Sequence, residues 1–218
     1  MEKDWIIDIV NEITSNTFKK IEKVYKYRQE GKQLFSDIDI ETRLIFPHYR
    51  NGEIRISEQE LRFMFVEEFN RYCDEKKIKN LYYSIETPTE HKYSFGDEEN
   101  PCMDDDKKGA RSAMIDLSIH KEDLERIALI EFKAMNPKDF CFRKDFLKLV
   151  EESKGKEEVC TFFILMIESA DKETLRSLKD KVFNTNKGND TFFKCCCLKK
   201  MDGEFDITEK IEKYQSES

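Results

Sequence analysis

The chain is poor in the residues that break or staple a fold. Seven Gly and four Pro in 218 residues exclude collagen-like and linker-like classes. No apolar run approaches the roughly 20 residues of a membrane-spanning helix, so no membrane partner is expected. The opening Met1-Glu2-Lys3-Asp4-Trp5 has no basic segment leading into an apolar stretch with a small-residue cleavage site. It does not read as a secretory signal, and a cytoplasmic location is expected. No Gly-rich phosphate loop occurs, because Asn186-Lys187-Gly188-Asn189 reads as a turn, which argues against a nucleoside triphosphatase. The three histidines, His48, His91 and His120, read as turn or loop residues, and none accompanies a Ser or Cys nucleophile at a recognisable spacing. Cysteine is not scarce, but the seven thiols are odd in number and form no paired zinc knuckle. The contiguous Cys195, Cys196 and Cys197 would alternate between the faces of a strand, so free thiols in a reducing compartment are the expectation.

What the chain does have is 17 Phe, 8 Tyr, 39% apolar residues and 39% charged residues, with a net charge of −8. That is enough apolar material for a core and argues against wholesale disorder. The charge is uneven. Residues 97–106 hold six acids and no base, which leaves −2 for the remainder, and residues 202–218 carry −4. Residues 17–33 hold six bases against two acids, and residues 187–200 four against one. Net acidity argues mildly against non-specific polyanion binding, while a local basic face remains compatible with it.

Residues 4–29 predict a long helix: Asp4 can cap it, and Trp5, Ile6, Ile9, Val10, Ile13, Phe18, Ile21 and Val24 or Tyr25 recur at helical spacing. Short extended pieces follow over 34–56, with Asn51-Gly52 as a hairpin signal. Ser57-Glu58-Gln59-Glu60 opens a second helix in capping-box form, with Leu61, Met64, Phe65, Phe69 and Tyr72 as its apolar stripe. A strand over 81–86 ends at Thr87-Pro88. The acidic stretch 97–106 reads as a loop with disordered character. Strands at 112–119 and 127–134, a helix at 140–152, a strand at 159–167, a helix at 172–182, a strand at 191–198 and a closing helix at 207–214 complete the reading. The almost wholly apolar 159–167 segment predicts a central strand covered on both faces. The expected fold is α/β: a mixed central sheet flanked by helices, with an N-terminal helical extension (1–56) continuous with an α/β domain (57–218).

The chemistry-bearing residues lie in two neighbouring strands, Ser112-Ala113-Met114-Ile115-Asp116-Leu117 and Ile130-Glu131-Phe132-Lys133. Glu131 and Lys133 are two apart and share a strand face. Charges inside apolar strands are costly unless paired or bound to a metal. With Asp116 alongside, two carboxylates make the hard, oxygen-rich site that Mg²⁺ prefers, and a neighbouring Lys can stabilise charge on a phosphoryl group. The plain alternative is an ordinary Glu–Lys pair at a sheet edge.

In this order and spacing the residues resemble the PD-(D/E)XK nuclease superfamily, over roughly residues 57–198. The resemblance implies an α-β-β-β-α-β restriction-endonuclease-like core. Asp116 would be the first acid and Glu131-Phe132-Lys133 the acid-x-Lys, with 142–149 as the helix that follows the motif. Ile115 stands where many members have Pro. The resemblance further implies a carboxylate from the first helix, for which Glu60 and Glu68 compete. Glu86, at the end of the first strand, is a further candidate to face the site.

The expected function is therefore a Mg²⁺- or Mn²⁺-dependent phosphodiesterase acting on nucleic acid, with DNA as the leading substrate. Asp116, Glu131 and the Phe132 carbonyl would hold the metal, and Lys133 would orient the attacking water. Lys138, Arg143, Lys144 and Lys148 would line the phosphate path, and a homodimer is compatible with the resemblance. The competing expectation is a catalytically inactive nuclease-fold binding or interaction module.

Overall fold

The computed structural model describes residues 2–31, 42–95, 102–106, 108–186 and 190–199. The closing helix expected at 207–214 lies outside the described residues. The elements run α1 (Glu2–Gln29), α2 (Glu58–Lys76), β1 (Leu81–Ser94), β2 (Cys102–Met103), β3 (Arg111–Lys121), β4 (Arg126–Ala134), α3 (Asp139–Ser153), β5 (Cys160–Ser169), α4 (Lys172–Asn186) and β6 (Phe192–Lys199). They build one six-stranded sheet in the order β2-β1-β3-β4-β5-β6. The β2-β1, β1-β3 and β3-β4 pairs are antiparallel, and β4-β5 and β5-β6 are parallel. Among the described residues the fold is thus α/β with a mixed open sheet and four helices. None of the described helices is long and apolar enough to cross a membrane.

Strand alternation sorts the core into two layers. Ile130, Phe132, Phe162, Ile164 and Cys196 face α1 and α2, whereas Leu129, Phe163, Leu165, Cys195 and Cys197 face α3 and α4. The adjacent cysteines do alternate faces, and all seven thiols are free. β5 is buried on both sides from Cys160 to Ile167, as its unbroken apolar run demands. The long N-terminal helix packs Ile6, Ile9, Val10, Ile13, Phe18, Ile21 and Val24 into the same cluster as Phe132 and Phe162, so it is part of the core.

Two rings fix the helices that matter most for the site. Phe65 of α2 packs edge-on against Phe132 of β4, with centroids 5.3 Å apart. On the opposite face Phe142 and Phe146 of α3 lie 4.5 and 4.7 Å from Phe163 of β5. Each buried aromatic contributes roughly 1.5–3 kcal/mol of hydrophobic stabilisation.

Several local expectations change: Asp4 lies within α1, which begins at Glu2, and His120 lies in β3. β1 does not stop at Thr87-Pro88 but continues to Ser94, with a register shift between Pro88 and Lys92. Among the described residues the outer side of β1 has no strand partner until Tyr93 meets Met103, and an open edge is where a strand tolerates proline. The continuation takes His91 into β1 instead of a loop, and Glu152 of α3 holds the irregularity by accepting the N–H groups of Glu90 and His91 at 2.7 and 3.0 Å. Part of the acidic stretch, Cys102–Met103, forms β2, while 96–101 lies outside the described residues. Ser57 does not cap α2 through a backbone N–H; its hydroxyl donates to the Glu60 carboxylate instead.

Candidate functional site

Glu131 and Lys133 share the face of β4 that carries Leu129, the face covered by α3. Asp116 reaches them from β3 by an irregularity. The β3–β4 ladder pairs Leu117 with Ile130 and goes no further toward Asp116, and the Asp116 Oδ2 atom accepts the N–H of Phe132 at 2.8 Å. A side-chain carboxylate thus replaces the backbone partner that the ladder would have supplied. The N–H and C=O of one strand residue point to the same side, so the Phe132 carbonyl faces the same gap between the strands. Across from Asp116, Glu86 of β1 sits at φ 48, a left-handed conformation uncommon for a non-glycine residue. Met135, directly after β4, has φ 66. Positive-φ residues therefore flank the acid pair on both sides; strain of this kind often gathers at working sites.

Around these residues the charges form a chain of ion pairs. Lys148 of α3 sets its Nζ 2.5 Å from Glu131 Oε1, 2.9 Å from Asp145 Oδ1 and 2.8 Å from the carbonyl oxygen of Met114. Lys133 stands 2.9 Å from Asp145 Oδ2 and 3.4 Å from Glu58 at the start of α2. Arg62, one turn along α2, lies 3.5 Å from Glu86 and 3.8 Å from Asp116. Asp116, Glu131, Asp145, Glu58 and Glu86 face Lys133, Lys148 and Arg62, so carboxylates outnumber cations by two.

The electrostatics follow from burial. Glu131 is fully buried; its Oε1 is paired with the Lys148 ammonium, while Oε2 has no hydrogen-bond partner among the described residues. Burial, followed by the charges of Asp145 and Asp116, pushes the Glu131 carboxyl well above its ordinary range, and Lys148 offsets only part of this. Burial also works on Asp145, yet the ammoniums of Lys148 and Lys133 outweigh it and hold that carboxyl below its usual value. For Lys133 burial opposes the charge, and Asp145, Asp116 and Glu58 overcome it, so the ammonium stays protonated above the ordinary lysine range. Lys148 behaves likewise, with Glu131 and Asp145 prevailing over burial.

Of the residues expected from sequence, Asp116, Glu131, the Phe132 backbone and Lys133 come together here. Glu60 and Glu68 have other partners. Glu60 is 2.8 Å from Arg55 and accepts from Ser57. Glu68, 1% exposed, bridges Lys20 of α1 and Arg71 and serves the α1–α2 interface. The α2 acid that reaches the cluster is Glu58. Lys138 and Arg143 are exposed, and Lys144 lies over the Phe95 ring at 4.8 Å. Lys148, expected along a solvated phosphate path, is instead 4% exposed and committed to Glu131, Asp145 and Met114, because it sits on the inward stripe of α3 between Phe142 and Leu149.

Asp145, Glu58 and Arg62 were not legible as site residues. For Asp145 a signal existed: an acid between Phe142 and Phe146 on the buried stripe of a helix, three residues from a lysine.

Among the described residues no three His, Cys, Asp or Glu side chains stand together as a ready metal-ligand set. The fit to a hard divalent cation rests on Asp116, Glu131 and a backbone carbonyl. It is supported by the buried Glu131 Oε2, which has no hydrogen-bond partner among the described residues. Compared with protein-family models, curated proteins and solved structures, the chain matches none of them.

Proposed function

We propose that the chain is a divalent-metal-dependent phosphodiesterase acting on nucleic acid, with DNA as the substrate class. Its restriction-endonuclease-like core would be α2-β1-β3-β4-α3-β5, and the remaining elements would extend it. The observation that carries this reading is the approach of Asp116, Glu131 and Lys133 from two adjacent strands: Asp116 accepts the Phe132 N–H and acts electrostatically on both buried Glu131 and Lys133. The element order supports it, since helix, three antiparallel strands, helix and parallel strand follow one another as the resemblance implies.

In this mechanism Asp116, Glu131 and the Phe132 carbonyl would hold Mg²⁺ or Mn²⁺, which would supply Lewis acidity at the phosphoryl group and a water activated at neutral pH. Lys133, kept charged by Asp145 and Glu58, would orient the attacking water and offset charge that develops on the phosphoryl oxygens. Asp145 is a positioning residue, because it fixes the Lys133 Nζ from the buried side. Arg62 balances Asp116 and offers a guanidinium to a phosphate. Lys138 and Arg143, exposed at the start of α3, extend a basic path away from the site.

One observation favours a second reading. The run Glu131–Lys148–Asp145–Lys133–Glu58 is internally paired, as a site that has lost turnover and serves as a binding or interaction module would be. Plasmid nicking with Mg²⁺ or Mn²⁺ tests the two. Cleavage by the wild type, lost in Asp116→Ala and Lys133→Ala variants that still fold, supports the nuclease. No metal-dependent cleavage of DNA or RNA supports the module.

A further inference from the structure

The buried lysine of α3 is surplus to the mechanism above. Its Nζ has three oxygen neighbours, Glu131 Oε1 at 2.5 Å, Asp145 Oδ1 at 2.9 Å and the Met114 carbonyl at 2.8 Å. Two carboxylates and a carbonyl form a cage for a hard cation: the Glu131 separation falls within the oxygen distances of Ca²⁺, about 2.3–2.6 Å, and the other two lie a few tenths of an ångström beyond them. The chain places its own ammonium in that cage.

We propose that Lys148 is a tethered counter-cation that competes with a divalent ion for Glu131. This rests on the metal-dependent reading of the site. Glu131 is the group the two cations share: its carboxylate belongs to the Lys148 cage and lies within electrostatic reach of Asp116. Asp145 makes the exchange feasible. When Glu131 turns to the metal, Lys148 keeps Asp145 as a buried partner and is not left as an uncompensated charge. Without metal, Lys148 neutralises Glu131 and holds the strands β3 and β4 together through the Met114 carbonyl. The arrangement stabilises the free protein and makes metal uptake depend on displacing an internal ligand, so divalent affinity is lower than the carboxylate count alone would produce.

The test is Mn²⁺ binding, followed by the electron-spin-resonance signal of the free ion, together with the melting-temperature rise on adding Mn²⁺. Wild type, Lys148→Met and Lys148→Gln are compared with Lys133→Met, which removes a like charge from the same cluster but not one that touches Glu131. The expected result is an Mn²⁺ affinity about tenfold or more higher in both Lys148 variants, a larger Mn²⁺-induced melting shift, and a smaller gain in Lys133→Met. Unchanged or weaker affinity in the Lys148 variants, or an equal gain in Lys133→Met, overturns the proposal. If a Lys148 variant unfolds without metal, recovery of its fold by Mn²⁺ supports the proposal and failure to recover overturns it. Binding by the Lys148 variants alone supports the counter-cation while refuting the native catalytic reading. Binding by wild type with no gain in the variants refutes the counter-cation only, and binding by none refutes both.

Discussion

Replacing Asp145 by Asn tests whether the buried ion pairs hold the site. The substitution keeps the shape of the side chain and removes one negative charge that is 3% exposed and 2.9 Å from both Lys133 and Lys148. A single ion pair near 4 Å is worth about 4 kcal/mol gross at an effective dielectric of 20, but burial has already cost much of that. The relevant quantity is therefore the penalty for stranding the partners, roughly 3–5 kcal/mol when one member of a buried pair is removed. Here the stranded partners are two ammoniums facing each other across the gap, with Glu131 and Glu58 as their remaining counter-charges. For a chain of this length each kcal/mol lowers the melting temperature by about 2–4 °C, so Asp145→Asn should melt about 6–20 °C below wild type. Urea denaturation followed by circular dichroism at pH 7 gives the free energy. The loss should persist at high salt, because solvent ions do not reach the pair. Glu90→Gln is the control: it breaks the exposed Glu90–Lys156 contact and should cost less than about 1 kcal/mol, a cost that salt erases. A change below about 1 kcal/mol in Asp145→Asn would refute the reasoning and leave Lys133 without a positioning partner.

Three further outcomes can be checked. In Glu68 burial raises the carboxyl, but Arg71 and Lys20 prevail and lower its pKa, so its stabilisation is present above the unfolded value and lost as pH falls through the native one; urea titrations should show the advantage of wild type over Glu68→Gln shrinking as pH drops below about 4.5. Phe163→Ala removes the ring on which Phe142 and Phe146 pack and should cost about 3–5 kcal/mol by thermal or urea denaturation. If the nuclease reading holds, Glu58→Gln should lower the cleavage rate by loosening Lys133, whereas Glu60→Gln, whose partners are Arg55 and Ser57, should leave it near wild type.

Most of the described elements were legible because each carries its own periodicity; β2 and the continuation of β1 past Pro88 were not. The apolar run of β5 announced a strand covered twice, the stripes of α1, α2 and α3 announced their buried faces, and Glu131 and Lys133 stood out as charges inside an apolar strand. These signals depend on neighbours a few residues away, and a sequence displays them directly. Pairing across the fold is another matter. Glu58, Glu60 and Glu68 are all acids on α2, and only the angle at which the Phe65–Phe132 contact seats that helix selects Glu58 to meet Lys133. Lys148 reads as one base among several on α3; its burial is decided by the stacking of Phe142 and Phe146 on Phe163, which turns that stripe inward and brings the lysine to Glu131. The reach of Asp116 to the Phe132 N–H depends on where the β3–β4 ladder ends. Local patterning thus determined the strands, the helices and the suspicious charges, while the partner of each charge was decided by tertiary packing, because electrostatic energy depends on separation in space and on exclusion of water, and neither is written in spacing along the chain.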